Sequence, residues 1–164
     1  MTSAPPSPAP APALSALRLV LDTNTVMALW AFEDPRLLQL RQWIERDRPV
    51  LLVSAATLEE LRRVLAYRQF AIPPQRQAAI LATYVGRSSA VPAPDDAANP
   101  PLLPTCRDHD DQKFLEAARD GDASHLVSRD KLLLKLNRHR LVRPLFAILT
   151  PEALDAALRD EPGA

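Results

Sequence analysis

The sequence predicts an α/β domain: a mostly parallel sheet covered by helices on both faces. Short, nearly continuous apolar runs alternate with longer segments of helical periodicity, the pattern of strands buried on both sides. Four acidic residues, Asp22, Glu60, Asp111 and Asp130, fall where these elements begin or end. In an open parallel sheet such positions converge on the carboxyl edge, where ligands bind.

Residues 17–21, Leu-Arg-Leu-Val-Leu, read as the first strand. A helical pattern follows over about 25–32 and breaks at Glu33-Asp34-Pro35. Leu37, Leu38, Leu40, Trp43 and Ile44 then recur at helical spacing until Pro49, and 50–53 reads as a second strand. Ser54 is placed to cap a helix carrying Leu58, Leu61, Val64 and Leu65. A further helix over 74–85 starts on proline, which a first turn tolerates. Residues 86–104 are rich in Pro, Ala, Ser and Asp and read as one long irregular segment, uncommon unless functional or mobile. Phe114, Leu115, Ala117 and Ala118 mark the next helix, Gly121 stops it, and 125–128 is a third strand. A basic helix over about 131–138 and a last strand at 145–149 follow, and Thr150-Pro151-Glu152 opens a final helix. Residues 1–16, with prolines at 5, 6, 8, 10 and 12, are expected to form a disordered tail, leaving one domain over 17–160.

Composition bounds the function. A chain of 164 residues holds one domain with a real core, and 47% apolar with 24% charged residues is ordinary for a globular protein. Its 20 basic and 20 acidic residues cancel, so any nucleic-acid surface must be local. Cys106 is the single cysteine, which excludes an intramolecular disulfide and fits a reducing cytoplasm. No apolar run approaches the roughly 20 residues of a membrane span, and no secretory signal is expected.

Each acidic position has a plain reading as a helix cap or end charge, and each has a reason to do more. Asp22 directly follows the first strand, with Thr23 and Asn24 adding oxygens beside it. Glu60 flanks the apolar face of its helix by roughly 100°, whereas Glu59 points about 150° away. Its alternative is a capping box formed with Thr57, which a helix starting at Ser54 would remove. Asp108, Asp110 and Asp111 precede a helix, where negative charge is favoured. Asp111 alone shares the face of Phe114, Leu115 and Ala118, with Asp108 as an outer partner. Asp130 follows the strand ending at Ser128, as Asp22 follows the first. Four carboxylates on one edge raise one another's pKa unless a cation relieves them. A hard divalent ion, magnesium or manganese, prefers such oxygen ligands.

Other chemistries lack their spacing. Cys106 and the histidines 109, 125 and 139 form no zinc pattern, and the three glycines form no phosphate loop. No nucleophile elbow supports a Ser-His-Asp triad. A basic stretch containing Arg129, Lys131, Lys135 and Arg138 begins at Asp130 and is suited to hold phosphates beside a metal, although such runs are commonly solvated faces.

These residues resemble the PIN-domain family, in particular its bacterial branch described as toxin components of toxin–antitoxin systems. The matching pieces are Val20-Leu21-Asp22-Thr23-Asn24, the segment from Val53 to Leu61, the segment from Cys106 to Leu115, the segment from Leu126 to Lys131, and Ile148-Leu149-Thr150-Pro151-Glu152. The resemblance implies a three-layer α/β/α sandwich and magnesium- or manganese-dependent cleavage of RNA. It assigns Asp22, Glu60, Asp111 and Asp130 as the catalytic and metal-binding set, and implies an antitoxin partner and a homodimer. Where relatives carry Thr-Gly-Asp-Lys-Asp, this chain has Ser128-Arg129-Asp130-Lys131-Leu132, which leaves Arg129 free to pair with Asp130 or a phosphate. Two competing readings stand beside the ribonuclease: a PIN-like binding module without activity, and a phosphatase of the haloacid-dehalogenase kind. The latter needs Asp-x-Asp after its first strand, where this chain has Asp22-Thr23-Asn24.

Overall fold

The computed structural model describes residues 16–93 and 99–160, and the expected tail lies outside them apart from Ala16. Five strands form the sheet: β1 (Arg18–Leu21), β2 (Val50–Val53), β3 (Ser88–Ala90), β4 (His125–Val127) and β5 (Ala147–Leu149). Their order is β3-β2-β1-β4-β5 and every neighbouring pair is parallel. The fold is the expected three-layer α/β/α sandwich.

Strand alternation builds the two outer layers. Leu19, Leu21, Leu51, Val53 and Val127 face one side, packed under α1 (Thr23–Val26), α2 (Leu38–Asp47), α3 (Ala55–Leu65), α4 (Pro74–Arg87) and α7 (Pro151–Arg159). Val20, Leu52, Leu126 and Ile148 face the other, against Phe114 and Leu115 of α5 (Gln112–Asp120) and Leu133 of α6 (Lys131–Lys135). Leu19, Val20, Leu51 and Leu126 are wholly buried. Each such side chain contributes about 1.5–3 kcal/mol by leaving water.

The chain steps from β1 to β2 to β3 on one side, then crosses over to place β4 on the other side of β1. That reversal opens a crevice above the carboxyl ends of β1 and β4, the position at which open α/β sheets bind ligands.

Several boundaries differ from expectation. The segment 86–104 is not irregular throughout, because α4 runs to Arg87 and β3 follows it directly. Ser-Ser-Ala at a half-exposed sheet edge carries no apolar signal, so nothing in the sequence marked the strand. The first helix begins at Thr23 and widens into a π-helical turn at Met27–Ala31. The basic helix is short, and Leu136–Arg138 continues it as a 3-10 turn. Gly121 ends α5 for a packing reason. A Cβ there would stand 2.9 Å from both the Ala117 carbonyl and Leu52 Cδ1. Among the described residues no helix is long and apolar enough to cross a membrane.

Candidate active site

Asp22 is the most enclosed of the four carboxylates, 5% exposed at the end of β1. One oxygen caps α1 by accepting the Thr25 N–H at 2.8 Å, and the other accepts the Ser128 hydroxyl at 2.5 Å. Burial pushes its pKa up and the Asp130 charge adds to this, while the hydrogen bonds from Ser128 and Thr25 pull it down.

Glu60 comes from α3, which starts after Ser54 with a reciprocal capping box between Ser54 and Thr57. The alternative box at Thr57 and Glu60 is therefore absent, and Glu60 lies in the second turn. The Thr23 hydroxyl donates to one of its oxygens at 2.7 Å, and the Lys113 ammonium is ion-paired with the other. Glu59 faces solvent and pairs with Arg62 instead.

Asp111 ends a 3-10 turn, His109–Asp111, immediately before α5. Capping falls to Asp108, whose carboxylate accepts the Asp110 N–H at 3.0 Å. Among the described residues no donor reaches the Asp111 carboxylate. Burial, then the charges of Asp130, Asp108, Glu60 and Asp22, push its pKa up to about 6. Asp111 thus lies near enough to Asp22, Glu60 and Asp130 to feel their charges.

Asp130 caps α6, with one oxygen accepting the Leu132 and Leu133 N–H groups at 2.8 and 2.9 Å. Its own N–H donates to the Ser128 hydroxyl oxygen at 2.9 Å. Ser128, fully buried, thus joins Asp22 to Asp130. Thr23 joins Asp22's segment to Glu60, and Asn24 is exposed beside them.

Lys113 is the group the sequence reading missed. It lies two residues after Asp111 in a segment singled out for its acids, but its partner Glu60 is 53 residues away. Only the fold brings the two together. Cys106 is buried, and burial with the nearby Asp111 and Asp108 charges raises its thiol pKa to about 11.

Among the described residues no group of three or more His, Cys, Asp or Glu side chains is arranged as a ready metal-ligand set. Three of the four acids are engaged within the protein: Lys113 holds Glu60, Ser128 holds Asp22, and the α6 backbone holds Asp130. The donor chemistry still fits a hard divalent ion, being all oxygen, net negative and mutually repelling at Asp111. Asp22, Glu60, Asp111 and Asp130 supply these oxygens.

The basic residues divide. Arg129 does not pair with Asp130: its guanidinium donates to Glu152 at 2.8 Å and to Asp34 at 3.0 Å. Those carboxylates tie it to α7 and to the turn before α2. Lys135 lines a cleft of about 290 Å³ with Asp108, Asp111, Thr105 and Leu132. Lys131 and Arg138 are exposed.

A parallel sheet with this switch point and an acidic crevice at its carboxyl edge is the framework of an α/β domain with its ligand site at the switch point. Residues 18–132 match the family model of the PIN domain, more than half of the chain, and the chain belongs to that family. PIN domains are generally nucleases and usually use divalent metals. The crystal structure of PAE2754 from Pyrobaculum aerophilum has the same fold, with a TM-score of 0.52 at 19% identity, covering 91% of this chain and 93% of that one. Comparison with curated proteins returns no match.

Proposed function

We propose that the chain is a divalent-metal-dependent ribonuclease whose site is Asp22, Glu60, Asp111 and Asp130. The observation that carries this reading is Asp111. It is a carboxylate that no described donor satisfies, raised to about 6 by burial and by the three other acids of the set. A stability-driven arrangement would give such a group a donor, as it gives one to Asp22. Perturbed, clustered carboxylates in a crevice are what active sites contain.

Bound magnesium or manganese would supply a water of lowered pKa and stabilise charge on the scissile phosphate. The chain's own residues orient the site. Ser128 and Thr25 fix the Asp22 carboxylate, Thr23 fixes Glu60, and the α6 N-terminus fixes Asp130. Lys113 supplies positive charge at Glu60 and is placed to meet either that carboxylate or a phosphate. Lys135 offers a cation in the cleft that Asp111 also lines.

A second reading, a PIN-like module that binds without cutting, is favoured by one observation. Both Glu60 oxygens are engaged, by Thr23 and by Lys113. The role as toxin of a type II toxin–antitoxin pair, with an antitoxin over the acidic crevice and a homodimeric state, is supported by sequence resemblance alone. Cleavage of a mixed set of labelled RNAs with magnesium, manganese or EDTA, beside Asp111→Asn, tests the main reading. Metal-dependent cleavage lost in the variant supports it. No cleavage under any metal leaves the binding module.

A further inference from the structure

Between Glu60 and Asp95 the chain has five arginines and no acidic residue, in a protein whose total charges balance. This segment forms the end of α3, a 3-10 turn at Arg68–Phe70, and α4. At its tip Tyr67 and Phe70 stack with centroids 6.2 Å apart, and Phe32 meets Phe70 edge-on at 5.3 Å. Phe70 packs against the core, but Phe32 is 53% exposed and Tyr67 42%. Core packing does not account for two large rings left in water.

Arginines frame the rings. Arg76 donates to the Ala31 carbonyl at 2.8 Å, which brings its guanidinium beside Phe32, and Arg68 lies between Tyr67 and Phe70 in the chain. Among the described residues, Arg63, Arg68 and Arg76 form no ion pair with a carboxylate. Arg62 is paired with Glu59, and Arg87 with Glu45. Of the acids next to Phe32 in the chain, Glu33 is held by Arg41 at 3.1 Å and Asp34 by Arg36 and Arg129.

We infer that Phe32, Tyr67 and Phe70, with Arg63, Arg68 and Arg76, form a platform for an unpaired RNA strand leading to the acidic crevice. Bases stack on exposed aromatic faces without regard to sequence, and guanidinium groups hold the phosphates between them. A duplex buries its base faces and gains nothing from the rings. Tyr67, two residues past the end of α3, is seven residues beyond Glu60, and Phe32 is ten beyond Asp22. At helical rise these separations are about 10 and 15 Å, close enough for one strand to reach both surfaces. The inference rests on the ribonuclease reading for its choice of RNA, but its test does not need cleavage.

The test is equilibrium binding of the full chain in EDTA to a labelled single-stranded RNA 12-mer, the matching duplex, and single-stranded DNA. Phe32→Ala, Tyr67→Ala and Arg68→Gln are compared with the parent, each checked by circular dichroism and thermal melting. We expect each aromatic variant to weaken single-stranded RNA binding by about five- to a hundredfold, with duplex binding unchanged. Arg68→Gln should reduce the salt slope by about 0.7. Tyr67→Phe should bind like the parent, since it keeps the ring. Unchanged affinity in both alanine variants overturns the platform, as does equal loss on duplex, or DNA bound more tightly than RNA. A shift from dimer to monomer with unchanged RNA affinity also overturns it and makes this face a self-interface. Loss of metal-dependent cleavage in Asp111→Asn is scored separately, so failure of either reading is visible on its own.

Discussion

The Ser128 hydroxyl bridges Asp22 and Asp130, donating to the first at 2.5 Å and accepting the backbone N–H of the second at 2.9 Å. One buried side chain therefore ties the Asp22 carboxylate at the end of β1 to the backbone at Asp130, the cap of α6. Replacing it with alanine leaves one oxygen of a buried carboxylate without its donor. We predict that Ser128→Ala lowers thermal stability by about 1–3 kcal/mol. Cleavage or metal affinity should fall by about 10–100-fold, the usual effect of losing a residue that orients a ligand. Denaturant titration and single-turnover cleavage measure the two. A variant as active as the parent would remove Ser128 from the site.

Much of this arrangement was legible in the chain, for physical reasons. Apolar runs such as 17–21 and 50–53 must be buried on both faces, and that fixed the central strands. The angular position of Glu60 against Leu58, Leu61 and Leu65 separates it from Glu59 in the sequence itself. Ser88-Ser89-Ala90 was invisible because an edge strand of small residues carries no hydrophobic pattern. The partners of Lys113 and Arg129 were invisible for another reason. Glu60 lies 53 residues from Lys113, and Asp34 lies 95 from Arg129. Local periodicity gives the direction of a side chain, and the fold chooses what it meets.

Lys113 is ion-paired with Glu60, so a divalent ion bound there as proposed would have to compete with it. Lys113→Met removes the competitor and leaves a mostly buried carboxylate without its cation. The metal-free variant should lose about 1–2 kcal/mol, between the limits for exposed and buried pairs. Saturating manganese should then raise its melting temperature by more than it raises the parent's. Paired melts with manganese and with EDTA give the comparison. An equal rise in both would mean that Lys113 does not oppose metal binding at Glu60.

Asp111 makes stability pH-dependent. Its pKa is raised to about 6 in the folded chain, against about 3.9 when unfolded. Between those values the folded state binds more protons than the unfolded one, so metal-free stability falls as pH rises through that window. Burial raises Asp22 as well, which acts in the same direction. Melts in EDTA should therefore decline from about pH 4 to about pH 6. Asp111→Asn should flatten much of that decline and stabilise the metal-free protein at neutral pH, while abolishing activity. A variant less stable than the parent at pH 7 would show that the carboxylate contributes to the fold rather than opposing it.

Arg129 and Lys135 were both expected to hold phosphate, and the structure gives them different surroundings. Arg129 is bound by Asp34 and Glu152, so Arg129→Ala leaves Glu152 without its cation and Asp34 with Arg36 alone, and loosens the joint between α7 and the turn before α2. Lys135 is exposed on the cleft shared with Asp111. We predict that Arg129→Ala lowers the melting temperature while leaving the salt dependence of RNA binding unchanged. Lys135→Ala should do the reverse, reducing the slope of log affinity against log salt by about 0.7 with the melt unmoved. The contrast separates a cation that holds the protein together from one that holds substrate. Titrations at three salt concentrations on both variants decide it, and a reduced slope in Arg129→Ala would return that guanidinium to the RNA-binding surface.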